Sequence, residues 1–170
     1  MKTLLVYSSR TGNTKKIAHE IHQVLPEGTD IFPIEQAPAP GDYEMIIIGF
    51  WVDRGTADKK TLEYIKAIEK KKVAFFITLG AYPDSEHAKK VIENGKELLG
   101  EKNEVLGSFI CQGKIDPALT EKFKSLPPDH PHTMTPERKK RHEIAAKHPN
   151  EEDFQKAKDL FKALLNESTI

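Results

Sequence analysis

A short apolar run near the start of the chain ends in a hydroxyl-rich turn, and a helical pattern begins directly after it. Residues 3–7 do not alternate apolar with polar side chains, which is typical of a strand buried on both faces. Residues 13–25 have the apolar spacing of a helix with one buried face. The turn between these two elements contains Ser8, Ser9, Thr11, Gly12 and Thr14. The chain therefore opens as a strand, a loop and a helix N-terminus.

Such a loop can bind a phosphate, because its backbone N–H groups and the positive end of the helix dipole both favour an anion. The four hydroxyls add donors, and Gly12 allows a close approach of the backbone. The loop lacks the Gly-x4-Gly-Lys-Ser/Thr spacing of nucleoside triphosphatases and the three glycines of the dinucleotide fingerprint. One terminal phosphate is the expected ligand. The alternative is a helix that is merely capped by Thr11 or Asn13.

The rest of the chain alternates apolar runs with helical patterns. Further strands are predicted at residues 30–34, 43–50, 73–79 and 105–111. Further helices are predicted at residues 59–70, 84–99, 117–126, 136–148 and 151–165. Strands and helices that alternate at these lengths predict an α/β fold with right-handed crossovers.

Composition narrows the class of protein. A length of 170 residues predicts one domain over residues 1–170. Lys and Arg total 26 and Asp and Glu total 26, so no basic excess indicates nucleic-acid binding. No apolar run has membrane-spanning length and no secretory signal is recognisable, so we expect a cytoplasmic protein without membrane insertion. Cys111 is the single cysteine, and its predicted buried strand indicates an inert thiol.

The turn after the first strand resembles the FMN phosphate loop of the flavodoxins, which is roughly Ser/Thr-x-Thr-Gly-x-Thr. The matching residues are Ser9, Arg10, Thr11, Gly12, Asn13 and Thr14. The resemblance covers essentially the whole chain. It implies a flavodoxin-like three-layer sandwich with a five-stranded parallel sheet of order 2-1-3-4-5, and FMN as the cofactor. In open α/β sheets, ligands bind beyond the carboxyl ends of the strands.

The resemblance places the flavin ring between two further loops. The loop after the third strand contains Trp51, Val52, Asp53, Arg54 and Gly55, and the loop after the fourth contains Thr78, Leu79, Gly80, Ala81 and Tyr82. Trp51 either covers the ring or packs under a helix, and Tyr82 is a second candidate for stacking. Small side chains at Gly80 and Ala81 leave room for backbone N–H groups at the ring. Asp84 or Ser85 is expected to cap the next helix.

Three features depart from a simple flavodoxin. Arg10 lies in a loop that is usually uncharged, where it either pairs with the phosphate or points to water. Arg54 near the ring would raise the flavin potential relative to an acidic surround. Residues 112–150, here called the insert, are too many for a plain connection before the last helix. We expect the insert to cover the flavin loops or to form a partner surface.

The insert also carries charged and metal-ligating side chains. It contains four of the seven histidines, His130, His132, His142 and His148. Their spacing is loose, so no metal site is predicted. Lys139, Lys140 and Arg141 are expected to form a solvated helix face.

The predicted function is that of an FMN-binding electron-transfer protein that exchanges electrons with a redox partner protein. No side chain stands out as a catalytic acid, base or nucleophile. One alternative is an FMN-dependent reductase acting on NAD(P)H, a quinone or another small substrate. A second alternative is an interaction module that binds no cofactor.

Overall fold

The structure is a computed structural model that describes residues 1–167. Its strands are β1 (Thr3–Tyr7), β2 (Asp30–Pro33), β3 (Met45–Asp53), β4 (Thr56–Ala57), β5 (Lys72–Leu79) and β6 (Glu104–Gln112). Its α-helices are α1 (Asn13–His22), α2 (Lys59–Ile65), α3 (Glu86–Gly100), α4 (Pro117–Lys124), α5 (Pro136–Ala145) and α6 (Glu151–Glu167). Within the described residues, no helix has the length and apolar character needed to cross a membrane.

Five parallel strands form the main sheet in the order β2-β1-β3-β5-β6. This confirms the predicted order 2-1-3-4-5. The fourth and fifth strands of the main sheet are numbered β5 and β6 here, because a short extra strand comes before them in the chain. That strand, β4, pairs antiparallel with the end of β3 and was not predicted. Arg54 and Gly55 between them have φ angles of 50° and 83°. Two consecutive positive φ angles allow a two-residue hairpin turn, so β3 runs on to Asp53 instead of ending at residue 50.

The apolar runs do not alternate because helices cover both faces of the sheet. Leu4, Ile46 and Phe75 face a core that α2 and α3 close, while Leu5 and Ile47 face a second core that α1 and α6 close. Successive strand residues therefore enter opposite cores, and both must be apolar. The last helix, α6, buries Ala157, Phe161 and Leu165 in the second core.

Four helices end earlier than their sequence patterns predicted. The patterns for α1, α2, α4 and α5 extend to residues 25, 70, 126 and 148, whereas the helices end at His22, Ile65, Lys124 and Ala145. In each case the chain continues past the α-helix through bonds from N–H to the carbonyl three residues back, as from Leu25 to His22 and from His148 to Ala145. These tighter turns bond the last carbonyls of each helix.

Candidate functional site

A cleft of about 530 Å³ opens at the carboxyl edge of β1, β3 and β5. Three segments far apart in the sequence meet there, as the resemblance implied. The predicted site residues that line the cleft are Ser9, Arg10, Thr11, Asn13, Thr14, Trp51, Val52, Thr78, Leu79, Gly80, Ala81 and Tyr82. A volume of this size is within the range of small-molecule and cofactor sites.

Four predicted site residues do not line this cleft. Gly12 lies at the N-cap of α1 with a φ of 98°, so it shapes the loop through its backbone. Asp53, Arg54 and Gly55 form the β3–β4 hairpin, in which Asp53 pairs with Thr56. The carbonyl of Gly55 accepts a hydrogen bond of 3.4 Å from Asn94 Nδ2. This segment is therefore an ordered turn beside the cleft.

The loop before α1 has the donors that a phosphate requires. Ser9 Oγ accepts hydrogen bonds of 3.2 Å from the N–H groups of Gly12 and Lys15 and so closes the loop. Within residues 1–167, the N–H groups of Arg10, Thr11, Asn13 and Thr14 meet no protein acceptor. Free N–H groups at a helix N-terminus are a ready anion site. The residue at the N-cap is Gly12, so the alternative that Thr11 or Asn13 caps α1 is wrong.

Two of the four hydroxyls in the turn bond to side chains far along the chain. Ser8 Oγ donates to Asp58 Oδ1 over 2.9 Å in a buried contact, so the expectation that Ser8 serves a phosphate is wrong. Thr14 Oγ1 lies 2.8 Å from Thr78 Oγ1, which ties α1 to the end of β5. Asp58 also caps α2 by accepting from Thr61 N and Thr61 Oγ1. Its position just before a helical pattern was a signal of that cap.

Two aromatic side chains, Trp51 and Tyr82, line the cleft. Trp51 and Tyr82 are half-buried at the ends of β3 and β5. The guanidinium carbon of Arg10 lies 5.7 Å from the centroid of the Trp51 ring, in reach of a cation–π contact. Ser85 caps α3 by accepting from Ala88 N over 3.2 Å, and Asp84 is exposed and is not the cap.

The insert forms a further wall of the cleft. Its lining residues are Gly113, Lys114, Ile115, Asp116, Leu119, Phe123, Arg141 and His142. Lys139 and Lys140 are exposed, but Arg141 is half-buried at the cleft, so the expected solvated face is wrong for Arg141. The sequence does not indicate which of these three cations is half-buried, because three adjacent cations on a polar helix give the same pattern.

Hydrogen bonds hold the insert against the start of α1 and the end of β5. Asn13 Nδ2 donates to the carbonyl of Lys114 over 2.9 Å, and Gly113 N donates to the carbonyl of Leu79 over 2.8 Å. A Cβ on Gly113 would come within 2.7 Å of Asn13 Nδ2, so this approach requires glycine. Likewise, a Cβ on Gly80 would come within 2.7 Å of Ile115.

The two insert helices contact each other through His142. Its Nδ1 lies 2.8 Å from Thr120 Oγ1, and its ring centroid lies 6.2 Å from that of Phe123. Burial lowers the pKa of His142, and the nearby charges of Arg141, Arg138 and Lys124 lower it further. In the described part of the chain, no three His, Cys, Asp or Glu side chains are grouped as metal ligands.

Comparisons with known proteins identify the family. A family model described as a flavodoxin domain matches residues 4–162. The flavodoxin-like domain-containing protein BilS of Clostridioides difficile (strain CD3) is 36% identical over 177 residues, covering 100% of this chain and 99% of that protein.

Solved structures share the fold. Oxidised flavodoxin 1 of Bacillus cereus superposes with a TM-score of 0.65 at 17% identity, covering 98% of each chain. A flavoprotein of Lactobacillus acidophilus NCFM in complex with FMN has a TM-score of 0.53 at 17% identity, covering 71% of this chain and 97% of its own. The matched domain, the BilS relative and the shared fold lead to one conclusion: the chain belongs to the flavodoxin domain family.

Proposed function

We propose that this protein binds FMN in the cleft and exchanges electrons with a partner redox protein. The observation that carries the proposal is the set of free N–H groups at the N-terminus of α1, beside two half-buried aromatic side chains in the same cleft. The first feature suits a phosphate and the second suits a flat ring. The FMN complex of the Lactobacillus acidophilus flavoprotein, which has the same fold, supports the choice of cofactor.

In this proposal, each loop has one task. The N–H groups of Thr11, Asn13 and Thr14 hold the phosphate, and Gly12 gives the loop its shape. Trp51 and Tyr82 cover the ring, while the backbone of residues 78–81 lies at its edge. The hairpin of Asp53, Arg54 and Gly55 supports Trp51 and Val52 from outside the cleft.

Bound FMN would supply the redox chemistry, which no ordinary side chain can perform. The residues of the chain bind the cofactor, orient it and exclude water from part of its surface.

One observation favours a second candidate, an FMN-dependent reductase. The insert adds Ile115, Leu119 and Phe123 to the cleft wall, and such an apolar wall would suit a small substrate or a nicotinamide. Steady turnover of NAD(P)H or a quinone by the FMN-loaded protein would select this candidate. Electron passage to a protein partner alone would select the first.

The test of the phosphate loop is an FMN titration followed by flavin fluorescence. Thr11 is exposed at the N-terminus of α1 and lines the cleft, so Thr11→Asp adds a carboxylate there without burying it. The carboxylate would occupy the N–H groups and repel the phosphate, and we expect FMN affinity to fall by at least about tenfold. The helix itself should be slightly stabilised by the added negative charge.

Thr11→Asn is the matched control, because it has nearly the shape of aspartate without its charge. We expect it to bind FMN much as the parent protein does. Equal FMN affinities of Thr11→Asp and Thr11→Asn would show that the phosphate does not bind in this loop. A parent protein that stays colourless and leaves added FMN fluorescence unchanged would leave only the cofactor-free interaction module.

A further inference from the structure

Arg141 on α5 is a charged side chain that lines the cleft and has no hydrogen-bond or ion-pair partner among residues 1–167. Within residues 1–167, its guanidinium makes no hydrogen bond or ion pair, and its Nε is buried without an acceptor. The buried Nε–H costs free energy, because water does not reach it and no atom of the described residues accepts its hydrogen bond. An acceptor supplied by a ligand in the cleft would remove that cost.

The surroundings of Arg141 are fixed by other contacts. Arg138 Nη1 donates to the carbonyl of Thr133 over 2.6 Å, and His142 contacts Thr120 on α4. Thr135 caps the start of α5 by accepting from Arg138 N. The contacts of Arg138 and His142 hold α5 in place, and α5 in turn holds Arg141 at the cleft.

Most of the formally charged side chains that line the cleft are positive, as Arg141 is. Its formally charged lining residues are three cations, Arg10, Lys114 and Arg141, and one carboxylate, Asp116. Asp116 Oδ1 accepts from Ala118 N and caps α4, and it forms no ion pair with Arg141. A positive cleft favours an anionic ligand, and a guanidinium offers five donors to phosphate or carbonyl oxygens.

We infer that Arg141 is a cofactor-binding residue, whose guanidinium donates to an oxygen of FMN held in the cleft. The insert is then part of the flavin site rather than an appendage beside it. This inference rests on the proposed FMN binding, and it adds a cationic contact from outside the three loops that the sequence indicated.

The test compares FMN with riboflavin, which lacks the phosphate, on the full chain. The variants are Arg141→Gln, which removes the charge, and Arg141→Lys, which keeps it but loses the planar fork. Lys140→Gln is the control, because Lys140 is the exposed neighbour on the same helix and is not in the cleft. Dissociation constants are measured at low and at moderate salt, with urea midpoints to confirm folding.

We expect Arg141→Gln to weaken FMN binding by about tenfold or more, Arg141→Lys to weaken it less, and Lys140→Gln to leave it unchanged. Loss of affinity for FMN alone, with a smaller salt dependence, locates the contact at the phosphate. Equal loss for both flavins locates it at the ring or the ribityl chain, and the midpoint potential should then fall. Either result supports the inference.

Unchanged affinity of Arg141→Gln for both flavins would overturn the inference and leave the FMN proposal intact. A parent protein that binds neither flavin would overturn the FMN proposal itself. The two failures are therefore distinguishable in one set of titrations.

Discussion

Gly49, in the middle of β3, lies under the ring of Phe76 on the neighbouring strand. The two residues are paired in register, and a Cβ on Gly49 would overlap the ring. Phe76 cannot easily move, because its ring packs edge-on against Phe161 of α6 with centroids 6.2 Å apart. Glycine at this position therefore lets the sheet and α6 pack around one buried aromatic ring.

We expect Gly49→Ala to destabilise the protein by about 1–3 kcal/mol, the usual cost of inserting atoms into a packed core. Urea denaturation measures this as a lower midpoint with an unchanged slope. Gly41→Ala is the control, because nothing lies within 4 Å of a Cβ there. A variant at position 49 as stable as the parent would mean that the Phe76 ring repacks freely.

Single hydroxyls also illustrate how much depends on remote partners. Ser8, Thr11 and Thr14 are hydroxyl residues of one turn, yet the fold treats them differently. Thr11 is exposed at the cleft, and its Oγ1 accepts a local hydrogen bond of 3.4 Å from Asn13 Nδ2. Ser8 bonds to Asp58, 50 positions away, and Thr14 to Thr78, 64 positions away. The residue pattern predicted the strand, turn and helix, which the structure confirms, but it could not predict which hydroxyls bond to remote residues.

At the scale of elements, α4 and α5 depend on one another. Neither helix contributes a fully apolar face, and α4 has no buried residue. Their contact is made by Thr120, Phe123 and His142, and His142 is the buried member of the three. Protonation of His142 therefore acts on one of the contacts that join α4 and α5.

We expect acid to weaken the packing around His142. Its pKa in the folded protein is below the ordinary value of 6.5, so the unfolded chain takes up a proton first as the pH falls. The neutral form contributes stability that is fully present above pH 6.5 and is lost as the pH falls through the lowered folded pKa. Urea midpoints between pH 7.5 and 5 measure the effect.

His142→Gln keeps a group that can hydrogen-bond to Thr120 but cannot titrate, so its midpoint should fall less with acid than that of the parent. His130→Gln, at an exposed position of the insert, should follow the parent. Identical acid dependence of the parent and His142→Gln would show that other groups control stability in this range.

For the whole molecule, the sheet separates two cores that share no side chain. One core is closed by α2 and α3 and the other by α1 and α6. Cys111 lies in the second core with 2% of its surface exposed, and burial raises the pKa of its thiol. The expected inert cysteine is therefore a buried thiol that reagents reach only when this core opens.

We expect a thiol reagent such as iodoacetamide to label Cys111 in native buffer at a rate set by the small fraction of molecules in which this core is open. The labelling rate should rise with urea in parallel with the unfolded fraction, and it should be higher in Gly49→Ala than in Gly41→Ala. Mass spectrometry of samples taken over time measures it. Fast labelling at a rate that does not depend on urea concentration would mean that β6 opens locally, without loss of the fold.

The sequence by itself determined the features that rest on local pattern. Non-alternating apolar runs predicted a sheet covered on both faces, and the turn at residues 9–14 predicted an anion loop, because neighbouring residues create both signals. The flavodoxin resemblance, and not periodicity, supplied the strand order that the structure confirms. The β3–β4 hairpin was missed because Arg54 and Gly55 were interpreted as part of a ring loop.

Tertiary structure alone decided what the insert does. Its helices have little apolar periodicity, so their place is set by contacts such as Asn13 to Lys114, 101 positions apart. The packing of α5 places Arg141 in the wall of the cleft, whereas its neighbour Lys140 is exposed. Such an outcome depends on the sum of weak long-range contacts, and no local pattern of residues encodes that sum.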